Sequence, residues 1–324
     1  MKTVSVIIPV YNLSQTLPRL FNSLRGITYR PVQLVFVDNN STDNSLELCK
    51  AFCQQLRLDI PDGSLFGVVE CCLRPGASAA RNQGLKIATG EYCCFFDSDD
   101  EFSPDFLSAM MAAIGNSDLC LTRTRMVMPD GTMQIRAGWA SPSIADHLLV
   151  QMVSTQSFLA RTDYVRSVGG WDETLRIWDD YELGLRLLSG QYRLAVPSSS
   201  FYCSPPRLSW QPDVWHRIYQ HSDSLTGATF SENYDRICHA LSILLHETYA
   251  LCDRRATKAL LYRTAILRGH FRQEGNAKLA YALPIKMRDF FSILLEKYVS
   301  LGGRGAWRVA LKFLKISASG NRII

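Results

Sequence analysis

Residues 90–100 read Gly-Glu-Tyr-Cys-Cys-Phe-Phe-Asp-Ser-Asp-Asp: an apolar run that ends abruptly in carboxylates. Four to six apolar and aromatic residues in a row suit a strand buried on both faces. Asp97, Asp99 and Asp100 then crowd together where it stops, and three like charges in one turn are costly unless a cation or donor groups offset them. Oxygen-only ligands suit Mg²⁺ or Mn²⁺, which keep waters and share one or two carboxylates with substrate phosphates. A solvated acidic turn ahead of the next helix is the plain alternative.

Working outward from this turn, the chain alternates. Apolar runs at 4–8 and 33–37 bracket a helix marked by Leu13, Leu17, Leu20, Phe21 and Leu24. A second helix is expected from Asp43, with Ser41, Thr42 or Asp43 as its N-cap. A strand near 66–72, a small-residue helix over 77–89 closed by Gly90, and the strand at 91–96 complete two further units. A helix near 104–114, a strand near 118–123 and a hairpin turned by Pro129-Asp130-Gly131 come next. The pattern blurs, then resumes with a strand near 156–160, a Gly169-Gly170-Trp171 loop, a helix over 179–189 and a strand near 192–196. Past about 230 only helix is expected. Such alternation predicts an α/β fold with a mainly parallel, doubly wound sheet, whose ligands bind beyond the carboxyl ends of the strands. Asp38 and Asp97–Asp100 fall there.

The 324 residues, 47% of them hydrophobic, suffice for this core and a second unit. The expected division is an α/β part over 1–229 and a basic helical region over 230–324. Net charge is +5, but residues from Arg254 onward carry +12 and those before it −7. Arg304, Arg308, Lys312 and Lys315 line one helical face, with Trp307, Ala310, Leu311 and Leu314 on another. This basic amphipathic helix is expected either to touch an anionic membrane or to pack on the protein. No nucleic-acid reader motif accompanies the charge. No apolar run approaches the length of a membrane span. The ten cysteines sit in apolar runs without zinc spacing, and two glycosylation sequons, at Asn12 and Asn40, fall in segments assigned to the site. Together these features predict a cytoplasmic protein, with a peripheral membrane contact at most.

Five segments, VSVIIPVYN (4–12), FVDNNSTDNS (36–45), RPGASAARNQG (74–84), GEYCCFFDSDD (90–100) and GGWDETLRIWDDYELGLRL (169–187), together resemble the family 2 glycosyltransferases of the GT-A fold, in order and over about 200 residues. The resemblance implies an inverting transfer from a nucleotide-diphosphate sugar to an acceptor hydroxyl of a glycan or lipid-linked glycan, with 1–229 as the GT-A catalytic domain, nucleotide-sugar binding in 1–123 and acceptor binding in 124–229. It implies that Pro9, Val10, Tyr11 and Asn12 frame the base, that Asp38 binds base or ribose, and that Asn39 stands where a second acid is usual. Arg81 would approach the diphosphate; its plain alternative is an ion pair with Glu91. Asp97, Ser98 and Asp99 match the DxD motif, with Asp99 near ribose or metal, Asp100 a rival ligand and His221 a further candidate. Asp180 would be the general base and Asp179 a shortened form of the usual Glu, while Trp171 and Trp178 are candidates for stacking on the acceptor. Mn²⁺ or Mg²⁺ would assist departure of the diphosphate. The competing function is a non-catalytic sugar-nucleotide-binding module on the same fold.

Overall fold

The computed structural model describes residues 1–128, 130–136, 143–190, 205–211, 216–219 and 229–319. The chain divides into two compact units: one of residues 1–140, 153–174 and 190–221, the other of 141–152, 175–189 and 222–324. The second unit thus takes two segments from the middle of the chain along with the C-terminal third.

The first unit begins with β1 (Val4–Val10), α1 (Leu17–Arg25), β2 (Val32–Asp38), α2 (Ser45–Asp59), β3 (Leu65–Cys71), α3 (Ala77–Ile87) and β4 (Tyr92–Phe95). It continues with α4 (Phe106–Ile114), β5 (Leu119–Thr122) and the hairpin β6 (Thr124–Val127) and β7 (Met133–Arg136). Its last elements are β8 (Phe158–Arg161), α6 (Thr162–Ser167), β9 (Leu208–Gln211) and β10 (Arg217–Tyr219), interrupted in the chain by α5 (Ile144–Val150) and α7 (Asp179–Ser189) of the second unit. Seven strands form one sheet in the order β3-β2-β1-β4-β8-β5-β9. β8 runs antiparallel to both its neighbours and the other pairs are parallel. A small sheet, β10-β6-β7, adjoins it in sequence.

Alternation along β1 divides the core. Val4, Val6, Ile8 and Val10 join the cluster built with Leu20 of α1, Phe52 of α2 and Phe106 of α4. On the opposite face α3 lies close: a Cβ on Gly84 would come within 2.5 Å of Ile7 and 3.1 Å of Val37. The small residues of α3 therefore set how near the helix comes to the carboxyl ends of β1 and β2. The N-cap of α2 is Asn44, not one of the three residues before it; Asp43 accepts from the Ser45 amide at 3.0 Å instead.

The second unit consists of α5, α7, α8 (Tyr234–Ala250), α9 (Arg254–Gln273), α10 (Ala277–Ala282), α11 (Phe290–Ser300) and α12 (Ala306–Ser319). Its core gathers Leu148 of α5, Tyr181 of α7, Leu244 of α8, Tyr262 of α9 and Leu295 of α11. Ala306, Ala310 and Leu314 of α12 are buried in the same cluster, so the apolar stripe of the basic helix is spent inside the protein. Among the described residues no helix is long and apolar enough to cross a membrane. The strand expected over 192–196 lies outside the described residues.

Candidate active site

β1, β2 and β4 end side by side, and their last residues and following loops are tied together. Ser98 Oγ donates to the Pro9 carbonyl at 2.7 Å, and the Asn39 amide to that of Val10 at 2.8 Å. Asn12, held at φ 51, accepts from the Thr42 amide at 2.7 Å through its Oδ1. Its short polar side chain makes this left-handed conformation cheap. Tyr11 beside it is 58% exposed, an aromatic face turned to solvent where the base is expected.

Asp38, the last residue of β2, is buried. Its Oδ2 accepts from the Ser41 amide at 3.2 Å, whereas Oδ1 has no hydrogen-bond partner. A buried acceptor left unpaired costs about 1–3 kcal/mol, so an N–H or O–H donor from a ligand is chemically suited to it. Asn39 behaves differently from the expected base contact. Its Nδ2 donates to the carbonyls of Cys72 and Arg74 at 2.9 and 2.7 Å, and its Oδ1 accepts from the Gly76 amide at 2.7 Å. The side chain is buried and bracketed to the β3–α3 loop, which a carboxylate at this position could not bind in the same way.

Arg81 on α3 is also buried. Its Nη2 donates to Asp97 Oδ1 at 2.7 Å, and its guanidinium lies 4.4 Å from the ring centre of Trp171. Glu91, the alternative partner, instead pairs with Lys2 at 2.9 Å. Trp171 is fully buried against Phe95, so its ring serves the core and the Arg81 stack and offers no face to an acceptor. Asn82 holds this loop in place, accepting from the Trp171 amide at 2.8 Å and donating to its carbonyl at 2.9 Å.

The acidic turn is tightly held. Asp100 is buried and accepts from the Tyr219 amide at 2.7 Å and from Gln156 Nε2 at 2.5 Å; Gln156 also reaches Asp97 at 3.2 Å. Burial, and then the charges of Asp99 and Asp97, push the Asp100 carboxyl up to about 8. Arg19 of α1 donates to the backbone carbonyl of Asp99. Among the described residues no three His, Cys, Asp or Glu side chains converge on one metal position. Asp97 and Asp99 add to the effect of burial on Asp100, and a cation would relieve that crowding of carboxylates; Mg²⁺ or Mn²⁺ needs only one or two protein carboxylates when a diphosphate supplies the rest. The donor set fits such an ion. His221 lies outside the described residues.

In the second unit Asp179 and Asp180 open α7, where acidic side chains offset the helix dipole. Gln151 Nε2 donates to Asp180 Oδ1 at 2.9 Å. Trp178 precedes them at φ 60, a rare conformation for a bulky residue. It is half-buried, edge-on to Tyr181, with the Arg263 guanidinium 5.6 Å from its ring. Gln151, Gln156 and Arg19 carry no motif, and their partners lie 29 to 80 residues away in the chain, so nothing in the sequence singles them out.

Residues 5–152 match the model of glycosyl transferase family 2. Over those residues, somewhat less than half of its length, the chain is similar to this family. Among its relatives, an uncharacterized glycosyltransferase of Escherichia coli, YibD, is 34% identical over 116 residues, covering 36% of this chain and 31% of that protein. Glycosyltransferase GlyG of Streptococcus pneumoniae is 30% identical over 115 residues, 36% of each. The chain thus spans about a third of the length of these relatives. Of solved structures, TarS of S. aureus (residues 1–349) superposes with a TM-score of 0.54 at 18% identity, over 98% of this chain and 92% of that one. TarS has also been solved with UDP-GlcNAc. The mannosyltransferase PcManGT of Pyrobaculum calidifontis, solved with GDP-Man and Mn²⁺, gives 0.53 at 18% identity, over 98% and 86%. At that identity the likeness establishes the fold alone: the chain has a GT-A architecture, a mainly parallel sheet with a C-terminal helical region.

Proposed function

We propose that the chain is an inverting glycosyltransferase that moves a sugar from a nucleotide-diphosphate sugar to an acceptor hydroxyl of a glycan or lipid-linked glycan. One observation carries this reading. At the carboxyl ends of the adjacent strands β2, β1 and β4 stand an unpaired buried acceptor on Asp38, a buried guanidinium on Arg81 and an undercompensated acidic turn at 97–100. These complement, in turn, the donor groups of a base or ribose, a diphosphate, and a divalent cation. Complexes of TarS with UDP-GlcNAc and of PcManGT with GDP-Man and Mn²⁺ support the same class of donor.

In this reading Tyr11 and the loop from Pro9 to Asn12 flank the base, Asp38 accepts from base or ribose, and Arg81 orients the diphosphate. Asp99, with Asp100 and His221 as further candidates, would hold Mn²⁺ or Mg²⁺, an ion that stabilises charge gathering on a departing diphosphate. Asp180 takes the proton of the acceptor hydroxyl as that oxygen attacks the anomeric carbon. The new C–O bond forms as the bond to the diphosphate breaks, with inversion and no covalent intermediate. Because a carboxylate is a weak base toward an alcohol, proton transfer runs late and in concert. Gln151 fixes the rotamer of Asp180 through its charge-assisted hydrogen bond. Asp179 and Trp178 stand next to the base, where the acceptor is expected.

The test is release of nucleoside diphosphate from a panel of UDP- and GDP-sugars with Mn²⁺. Wild type should hydrolyse one donor slowly without acceptor, Asp180→Asn should bind that donor normally and not turn it over, and Asp99→Ala should lose metal-dependent binding. A wild type that binds a donor but releases no more product than Asp180→Asn is the non-catalytic binding module instead.

A further inference from the structure

α11 is apolar on two opposite faces. Leu295 and Val299 point inward, and Val299 packs so tightly on α9 that a Cβ on Gly269 would come within 2.4 Å of it. On the other side Phe290, Leu294, Tyr298 and Leu301 recur at spacings of four, four and three residues, forming a second stripe. This stripe is open to solvent: Phe290 is 69% and Leu301 77% exposed, with Ile293, Leu294 and Tyr298 each above 40%. A run of large exposed apolar side chains along one helix is unusual for a surface that meets only water, and it marks a place where something else docks.

The charges around the stripe say what. Lys297, on α11 itself, and Arg304, whose carbonyl accepts from the Tyr298 hydroxyl at 2.8 Å, are exposed beside it. The two acidic residues of the same stretch are engaged elsewhere. Glu296 is buried between Arg272 and Arg288, at 2.6 and 2.7 Å, and Asp289 caps α11 through the Ser292 amide while facing Lys258. The face is therefore apolar along its centre and cationic at its edges, and the acids of this stretch are already engaged, not offered to the lysine and arginine of a second copy.

We propose that the outer face of α11 docks on an anionic membrane surface, with Phe290, Leu294, Tyr298 and Leu301 entering the boundary between headgroups and acyl chains and Lys297 and Arg304 meeting lipid phosphates. The contact thus belongs to α11, whereas the apolar stripe of the more basic α12 is buried in the core. This inference stands on the surface of the second unit and does not depend on the catalytic assignment.

The experiment is co-sedimentation of the full chain with phosphatidylcholine vesicles, alone or containing about a third phosphatidylglycerol. Wild type should partition onto the anionic vesicles and fall off as salt is raised. Phe290→Ser/Leu294→Ser, both at exposed positions, should weaken binding by about tenfold or more while leaving the thermal midpoint unchanged. Lys297→Glu/Arg304→Glu should remove the preference for anionic lipid. Wild type remaining in the supernatant with both vesicle types would overturn the proposal, as would binding that Phe290→Ser/Leu294→Ser leaves unaltered. Sedimentation equilibrium supplies a further check: a wild-type dimer that Phe290→Ser/Leu294→Ser converts to monomer makes the stripe a self-association seam and refutes membrane docking.

Discussion

Arg81 Nη2 and Asp97 Oδ1 lie 2.7 Å apart, joining the middle of α3 to the turn after β4. Arg81 is almost wholly buried and Asp97 a third exposed, so the pair places a fixed cation at the rim of the carboxylate cluster. A planar guanidinium can serve Asp97, the Trp171 face and a diphosphate oxygen together; an ammonium cannot. Arg81→Lys should therefore weaken donor binding by roughly ten- to a hundredfold, about 1.4–2.8 kcal/mol, although the charge is kept. Titration calorimetry with donor and Mn²⁺ checks this, and unchanged affinity would remove Arg81 from the donor site.

Asn39 supports a second prediction, because it stands where the family that the sequence resembles usually has an acidic residue. Two donated hydrogen bonds and one accepted one fix the β3–α3 loop through its amide. Asn39→Asp would bring a carboxylate against the carbonyls of Cys72 and Arg74 with nothing to donate. We expect a loss of about 1–3 kcal/mol in stability, read as a lower thermal midpoint. A variant as stable as wild type that also binds donor more tightly would instead return this position to the base contact.

How far the sequence carried this picture depends on the range of each signal. The β–α–β units and the acidic turn were legible because their signals are local: apolar runs, helical spacing, and charges where a run stops. α5 was not, since seven residues give two turns and no clear period, and β9 and β10 are four and three residues long in a stretch broken by Pro205, Pro206 and Pro212. Pairings at long separation leave no trace in one sequence, which is why Gln156 under Asp100 and Gln151 beside Asp180 went unread. The burial of Trp171 was equally hidden, because Gly169-Gly170 announces a loop without saying which way the next side chain turns.

Two buried histidines make stability depend on pH. His147 accepts from the Met152 amide at 3.0 Å through Nδ1 and meets the Tyr181 carbonyl at 2.7 Å through Nε2, so the neutral ring with its proton on Nε2 satisfies both contacts. Burial lowers it from 6.5 to about 4, and burial lowers His216, which accepts from the Ser103 amide among Phe96, Phe102 and Phe106, to about 3. With the folded-state values below the unfolded one, the unfolded chain binds more protons. The stabilisation is full above 6.5 and is lost as pH falls toward 4, each ring contributing a slope approaching about 1.4 kcal/mol per pH unit. Urea melts between those limits should show it. His147→Gln, whose amide can keep both hydrogen bonds, should lose one ring's share of the slope, and superposable slopes would exclude His147 as a contributor.

Helix α7 carries Asp180 at one end and a fully buried ion cluster further along. Arg186 donates to both oxygens of Glu182 at 2.5 and 2.6 Å, and Glu247 of α8 stands 3.9 Å away. Desolvating such charges offsets most of what their attraction gains, so the cluster adds little net stability while being expensive to break. Arg186→Met keeps the volume but strands two carboxylates, and should destabilise the chain by about 3–5 kcal/mol. Replacing all three, as Glu182→Leu/Arg186→Met/Glu247→Leu, should recover most of that loss even though more contacts are deleted. Denaturant melts of the two variants distinguish charge from packing: if the triple variant is the less stable, the site is held by the shape of its side chains and the electrostatic account fails.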